Sequence, residues 1–410
     1  MMYLKLLLVL VIFANVIEQW IPLFSYFDEM LTVIFLLMSL IKYSVISKKM
    51  KQIFMKSEII VIIFVFIILF LAIISSYTSD VKNTLFLQVY SLFASFKLII
   101  LYLSCRILFI DIKRKTFESF GKFALKQTYW FLYVIYLLFF LNLIFNIFQK
   151  FDHRFGMDSV AYGFSHPAKF SSIVILQVAI NLYFTAKLKN RISYRYLLLS
   201  FFLLLTSGRI AAIAFFIMLF VVLISFRYFR KFVISGIIIG ISGLLLVSNQ
   251  KIINTFFDLE QPRGVLLSTA FKIGVDYFPL GSGQGTFGSH ASRLNYSPMY
   301  YKYGISNEWG LSPQFSQFIT DSYWAMMIGE FGFIGAFLVL IILLILYYNA
   351  YITKKGIIGL IISIPLMYLI LTSFIDTIIV SNSVLSMVIV TVIIISIEKN
   401  SNLNLNNLEK

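Results

Sequence analysis

Leu280-Gly281-Ser282-Gly283-Gln284-Gly285-Thr286-Phe287 lies inside a polar stretch, roughly residues 248–320, of a chain that is otherwise almost continuous apolar helix. Around it, 60% of the 410 residues are hydrophobic and 13% are charged. A mean hydropathy of +0.91 with 18% aromatic residues places the chain outside the soluble globular class. The sequence therefore reads as one integral membrane domain over residues 1–410, with 248–320 as its one large excursion from lipid. That excursion is the first place to look for chemistry.

Crossing the hydrocarbon layer takes about 20 apolar residues per helix. Such runs occur at Leu4–Leu23, Tyr26–Ser44, Glu58–Ser76, Leu85–Phe109, Tyr129–Phe148 and Phe170–Ala186. They continue at Tyr196–Ser207, Ile210–Ser225, Phe232–Val247, Ser322–Tyr348, Ile357–Phe374 and Thr377–Ile397, giving about 12 transmembrane helices. Connections rich in lysine and arginine (Lys42 to Lys56, Arg114 to Lys126, Lys187 to Arg195, Arg227 to Lys231, Lys354 and Lys355) alternate with connections that hold few basic residues. By the positive-inside rule both termini are cytoplasmic, and the 148–169 and 248–320 loops are extracytoplasmic. The net charge of +16 is then explained by cytoplasmic loops and anionic lipid rather than by nucleic acid. Met1 to Trp20 lacks a small-residue cleavage site and reads as an uncleaved first span. The polar tail Asn400 to Lys410 reads as disordered, Lys97 and Arg106 as residues that snorkel, and Cys105 is a lone cysteine.

Residues Tyr196 to Phe226 are apolar except for Thr206-Ser207-Gly208-Arg209. As a single helix they would measure about 46 Å, too long for a ~30 Å core, and both flanks are basic. A hairpin with Arg209 at its turn satisfies both facts. Each arm is short, about 17–24 Å, so Arg209 falls at membrane depth. A guanidinium persists there only beside a watery cavity or an anionic partner.

No P-loop, HExxH, CxxC or Rossmann signature is present, an Asp-x-Asp sugar-nucleotide motif is missing, and three scattered histidines argue no metal site. What remains on the outer side is charged: Arg154 in the first loop, Arg209 at the hairpin, Arg263 in the long loop and Asp321 where a helix re-enters lipid. Arginines from separate loops suit a phosphate or diphosphate, because each planar fork pairs with two oxygens at once. A carboxylate such as Asp321 suits proton transfer from an attacking hydroxyl, and it also suits a helix cap. Gly281, Gly283, Gly285, His290, Arg293, Tyr296 and Glu330 are the substrate-binding candidates. The glycines equally suit tight turns, the tyrosines an interfacial belt, and Glu330 a structural partner for an arginine.

Four segments carry a resemblance across nearly the whole length: Arg154-Phe155-Gly156 through Gly163-Phe164-Ser165-His166-Pro167, Leu205 to Ala214, Arg263 to Ser289, and Asp321 to Leu338. In this order the chain resembles the Wzy-type polymerases of surface polysaccharide, in the superfamily that also holds the O-antigen ligases. The spacing from Arg263 to Gly274 fits the arginine-to-glycine pattern of polymerase loops, whereas the loop at Arg154 departs from it. The resemblance implies a GT-C-like membrane fold and a glycosyltransferase in the cytoplasmic (inner) membrane with its active site outside. Such an enzyme joins polyprenyl-diphosphate-linked oligosaccharide repeat units into O-antigen, capsule or exopolysaccharide. It implies no cofactor and no nucleotide sugar, and a flippase and a chain-length regulator of the same pathway as partners. Arg209 and Arg263 would hold the donor diphosphate with Arg154 assisting. Ligases carry a histidine near the start of the helix after the long loop; this chain has Asp321 there, which favours a polymerase. A ligase and a lipid-linked saccharide flippase are the alternatives.

Overall fold

A computed structural model describes residues 2–45, 54–112, 114–154, 156–228, 261–354 and 356–406. Its helices are α1 (Met2–Ile17), α2 (Phe27–Val45), α3 (Lys56–Thr78), α4 (Leu85–Leu108), α5 (Arg114–Phe145), α6 (Pro167–Lys189), α7 (Tyr194–Ser207) and α8 (Ile210–Tyr228). After the described residues resume come α9 (Pro262–Asp276), α10 (His290–Leu294), α11 (Pro298–Lys302), α12 (Tyr323–Ile352), α13 (Ile357–Ser373) and α14 (Ser383–Asn406). A two-stranded antiparallel hairpin, β1 (His153–Arg154) with β2 (Met157–Asp158), is the one sheet among the described residues. The chain is a multi-pass, predominantly helical membrane protein. Among the described residues, six helices are long and apolar enough to cross a membrane: Leu23–Val45, Lys56–Thr78, Leu85–Leu108, Phe117–Phe145, Pro167–Lys189 and Tyr323–Ile352. Met2–Ile17, Tyr194–Ser207, Ile210–Ser225 and Ile357–Ser373 are apolar but shorter.

Every expected span but one coincides with a helix; the exception, Phe232–Val247, lies outside the described residues. Boundaries move for identifiable reasons. The first helix ends at Ile17, not Leu23, because Pro22 lacks an amide hydrogen and restricts the residue before it, so the chain restarts as a 3-10 turn over Pro22–Tyr26. Helix α5 begins at Arg114, well before the expected Tyr129, since hydropathy marks lipid contact and not helicity. The tail expected to be disordered continues α14 to Asn406, with 407–410 outside the described residues.

Helix α6 is the axis of the bundle. Its side chains from Phe170 to Thr185 are buried all round, and α5, α7, α13 and α14 pack on it. Its polar residues Ser171, Ser172, Gln177, Asn181 and Thr185 would be costly against lipid, so this helix takes the enclosed position. Ion pairs join connections that the charge pattern places on one side: Lys42 with Asp111 (2.7 Å) and Lys187 with Glu398 (2.6 Å) on one, Lys302 with Asp80 (2.7 Å) and Lys169 with Glu18 (2.8 Å) on the other. Lys97 and Arg106 do not snorkel. Both are buried, Lys97 against Asp28 and the Val380 carbonyl (2.8 Å), Arg106 through Nε against Glu58 Oε1 (2.8 Å). Burial without a partner would be prohibitive, so each cation ties helices together through its carboxylate.

The expected loop of 248–320 is, where described, a folded layer rather than an open excursion. Helix α9 lies along α12, and the glycine segment plugs a break in α12 at Gly332, where φ is +69°. A break in a membrane helix frees backbone groups that lipid cannot satisfy. Here the amides of Ser282 and Gly283 donate to the carbonyls of Gly329 (2.8 Å) and Glu330 (3.3 Å). The approach needs glycine: a Cβ on Gly281 would sit 2.4 Å from the Gly332 nitrogen, and φ at Gly281 is +78°.

Candidate functional site

The turn at residues 206–209 organises the site. Gly208 caps α7 in the left-handed region (φ +62°), and Ile210 opens α8. The first outer loop is stitched onto this turn: the Val160 amide donates to the Thr206 carbonyl (3.1 Å) and Ser159 Oγ to the Ser207 carbonyl (2.5 Å). Arg154, on the hairpin that turns at Gly156, reaches the Gly208 carbonyl through Nη1 (3.4 Å) and Asp152 through Nη2 (3.0 Å). Arg154 and Arg209, 55 positions apart in the chain, are thereby brought to the same turn.

A cavity of 680 Å³ opens over this turn, lined by Arg154, Arg209, Arg263 and Asp321 together with Asp152, His166, Lys169, Tyr368 and Asp376. Arg263 comes from the second position of α9 and bonds Asp321 (3.2 Å), and Asp321 immediately precedes Ser322, the N-cap of α12. Ser322 Oγ accepts from the Ala325 amide, so the capping role considered for Asp321 belongs to its neighbour. Burial raises the Asp321 carboxyl above its ordinary value and the Arg263 guanidinium opposes that shift.

The cations are not equally occupied. Arg154 is held by Asp152, Lys169 by Glu18 and Arg263 by Asp321. Arg209 bonds no carboxylate among the described residues; its Nη2 lies 3.1 Å from His166 Nε2 and its Nε is buried with no hydrogen-bond partner. His166 Nδ1 also faces the Ala168 amide (3.3 Å). A neutral imidazole has one acceptor nitrogen and cannot satisfy both donors at once. Enclosure by the cavity wall, then the Arg209 charge, push His166 down to about 4, so the ring is neutral although it remains open to the cavity. The site therefore presents a guanidinium fork with spare donors in a cation-rich concavity, which is the chemistry of an anion site.

Other candidates fall elsewhere. Gly281, Gly283 and Gly285 line neither of the two large cavities; they pack against Gly332, Ser76 and Asn83, and are corrected from substrate-binding to close-packing positions. Glu330 is buried and spent on structure, with Oε2 accepting from Ser91 Oγ (2.7 Å) and Oε1 from the Phe287 amide (3.3 Å). No arginine partner is found for it among the described residues. Tyr296 donates to the Leu311 carbonyl (2.7 Å) and packs at tilted and T-shaped angles on Tyr300 and Tyr301, and Arg293 lines neither cavity. His290 lines a second cavity. Sequence reasoning did not single out His166, Lys169 or Asp376. The last carried a signal: a lone carboxylate in Phe374-Ile375-Asp376-Thr377, between two apolar helices.

No protein-family model matches the chain, and no curated protein matches it in sequence.

Proposed function

We propose that the 680 Å³ cavity binds the diphosphate of a polyprenyl-diphosphate-linked oligosaccharide and that the protein is a polysaccharide polymerase working on the extracytoplasmic face of the cytoplasmic membrane. The observation that supports this best is Arg209, a cation without a carboxylate beside Arg154, Arg263 and Lys169 in one cavity of a membrane protein. The acceptor hydroxyl attacks the anomeric carbon of the donor. The carbon–oxygen bond to the diphosphate breaks, and polyprenyl diphosphate leaves with the bonding pair. Negative charge grows on that leaving group, so donors fixed in place beforehand stabilise the transition state more than the ground state. Asp321 is the candidate for receiving the hydroxyl proton, and its raised affinity for protons suits that task. Neutral His166 adds no positive charge and orients the Arg209 fork.

The deciding experiment reconstitutes this protein alone with its lipid-linked repeat unit in liposomes. A ladder of lengthened glycans on the carrier, with release of polyprenyl diphosphate, is the expected result. Transfer of glycan to another lipid or to protein, or movement across the bilayer without lengthening, would replace the polymerase reading with a ligase or a flippase.

A further inference from the structure

The 680 Å³ cavity is not cationic all round. Its arginines and Lys169 come from the first outer loop, the turn at 206–209, α6 and α9. The stretch from the end of α13 to the start of α14 supplies no cation; it contributes Tyr368, Thr372, Asp376, Thr377, Ser381 and Ser383 instead. Cavities of this size hold a whole small ligand, so there is room beside a diphosphate.

Asp376 is the unusual member of that wall. Its Oδ1 accepts from the Thr377 amide (2.7 Å). Its other oxygen has neither a hydrogen bond nor an ion pair among the described residues, and it is not sealed from solvent. Arg209 lines the same cavity with its fork likewise uncommitted to a carboxylate, and Asp376 acts on it only through space. Opposite charges that share a cavity without closing on each other are held apart by the scaffold. A ligand that spans them brings an anion to one and hydrogen-bond donors to the other. A bare diphosphate fits badly, because its charge suits Arg209 and is repelled by Asp376. A sugar carried on that diphosphate supplies hydroxyl donors where the carboxylate needs them.

We propose that Asp376 reads the sugar joined directly to the diphosphate, its open oxygen accepting from a hydroxyl of that ring while Arg209 meets the phosphates. This rests on the diphosphate reading given above. The contact also separates substrate from product. Cleavage replaces a neutral sugar ring by an ionised terminal oxygen, so the carboxylate that held the loaded carrier repels the emptied one. Preference for sugar-bearing lipid over polyprenyl diphosphate is therefore set by Asp376 and not by the arginines.

The test uses the full protein in lipid nanodiscs and two probes that differ by one sugar. One is polyprenyl diphosphate. The other is the lipid-linked repeat unit, collected from cells lacking the protein and trimmed by glycosidases to its first sugar. Asp376→Asn changes the open oxygen and keeps the Oδ1 bond to the Thr377 amide, so the local turn is preserved. The ratio of the two dissociation constants should shift against the sugar-bearing lipid by about tenfold or more, the worth of one hydrogen bond to a charged group. Arg209→Ala should weaken both probes and change the ratio little. Should Asp376→Asn fail to fold, Asp376→Ser decides, since its hydroxyl still offers that amide a local acceptor. A ratio that stays the same, or moves toward the sugar-bearing lipid, overturns the sugar contact. A wild type that binds neither probe, or an Arg209→Ala variant that binds both as the wild type does, overturns the diphosphate site instead, so the two failures are distinct.

Discussion

Replacing Arg209 by lysine tests whether the site needs a cation or a fork. In the structure the guanidinium lines the cavity with a buried, unbonded Nε and an Nη2 whose partner is a neutral histidine, so the fork is not committed to a carboxylate. Lysine restores the charge but presents a single rotating ammonium on a different reach. One preorganised donor aimed at developing charge contributes about 2–4 kcal/mol, which is roughly 30- to 1,000-fold in rate. Arg209→Ala is expected to lose that whole range in the reconstituted polymerisation assay. Arg209→Lys is expected to fall nearly as far, within about tenfold of the alanine variant, because the positive potential from Arg154, Lys169 and Arg263 persists while the fork does not. Thermal stability should fall little in either variant, since Arg209 makes no ion pair and the attraction of Asp152 and Asp376 is opposed by burial and by Arg154 and Arg263. Equal amounts of inserted protein polymerising at the wild-type rate in the alanine variant would refute the reasoning. A lysine variant of full activity would refute the fork and leave only the charge.

Three further outcomes are expected. Asp321 holds its proton more tightly in the folded state than in the unfolded chain, so its contribution to stability is present below the unfolded value and is lost as pH rises through the folded one. Asp321→Asn should therefore leave the melting temperature at pH 7 unchanged or higher, flatten its acid dependence, and slow turnover if the carboxylate accepts the proton; unchanged kcat removes it from the chemistry. His166 has the opposite sign: with its folded value near 4, stability is present above the ordinary histidine range and is lost as pH falls through about 4. A His166→Gln variant should be less sensitive to pH between 6.5 and 4, checked by thermal melts in detergent; an unaltered pH profile would show that the ring titrates normally. Gly281→Ala should cost about 3 kcal/mol or more, from a left-handed backbone and a Cβ driven into the Gly332 amide, whereas Gly304→Ala, with φ +71° but open space around it, should cost only about 1–2 kcal/mol. Comparable melting temperatures for the two would remove the plug from the account of the α12 break.

The parts of this protein legible in its sequence are those where one property decides the outcome. Hydropathy alone marks an apolar helix, so the spans were readable, and the interruption at Gly208-Arg209 was readable because a 31-residue apolar run cannot fit across lipid. Arg154, Arg209, Arg263 and Asp321 were readable as candidates because charge is scarce near the membrane and each needs a reason. Their gathering at one anion site was an expectation of the sequence; the Val160 and Ser159 bonds to the turn that help to bring it about were not legible, since they join segments that sequence separation leaves independent. The glycine segment misled for a physical reason. Glycines that bring backbone close to a ligand and glycines that bring backbone close to another backbone look alike in one dimension, and here the partner is Gly332.

The distribution of carboxylates carries the last step. A cavity in which every cation was matched would gain little from a diphosphate, because each pair would have to be broken first. One in which none was matched would repel itself. Asp152, Glu18 and Asp321 hold Arg154, Lys169 and Arg263 in ion pairs, whereas Arg209 feels Asp152 and Asp376 only through space and keeps its fork for the ligand. A bound diphosphate is then expected to engage Arg209 directly and to draw Arg263 away from Asp321, whose 3.2 Å contact is the longest of the three ion pairs. Freed of Arg263, Asp321 loses the charge that opposed its rise in pKa, so donor binding itself would make the carboxylate a stronger base. The prediction is proton uptake on binding polyprenyl diphosphate, measurable as a dependence of the calorimetric heat on buffer ionisation enthalpy. It should vanish in Asp321→Asn. Heats that do not vary with buffer in the wild type would mean that the Arg263–Asp321 pair stays closed and that the base lies elsewhere.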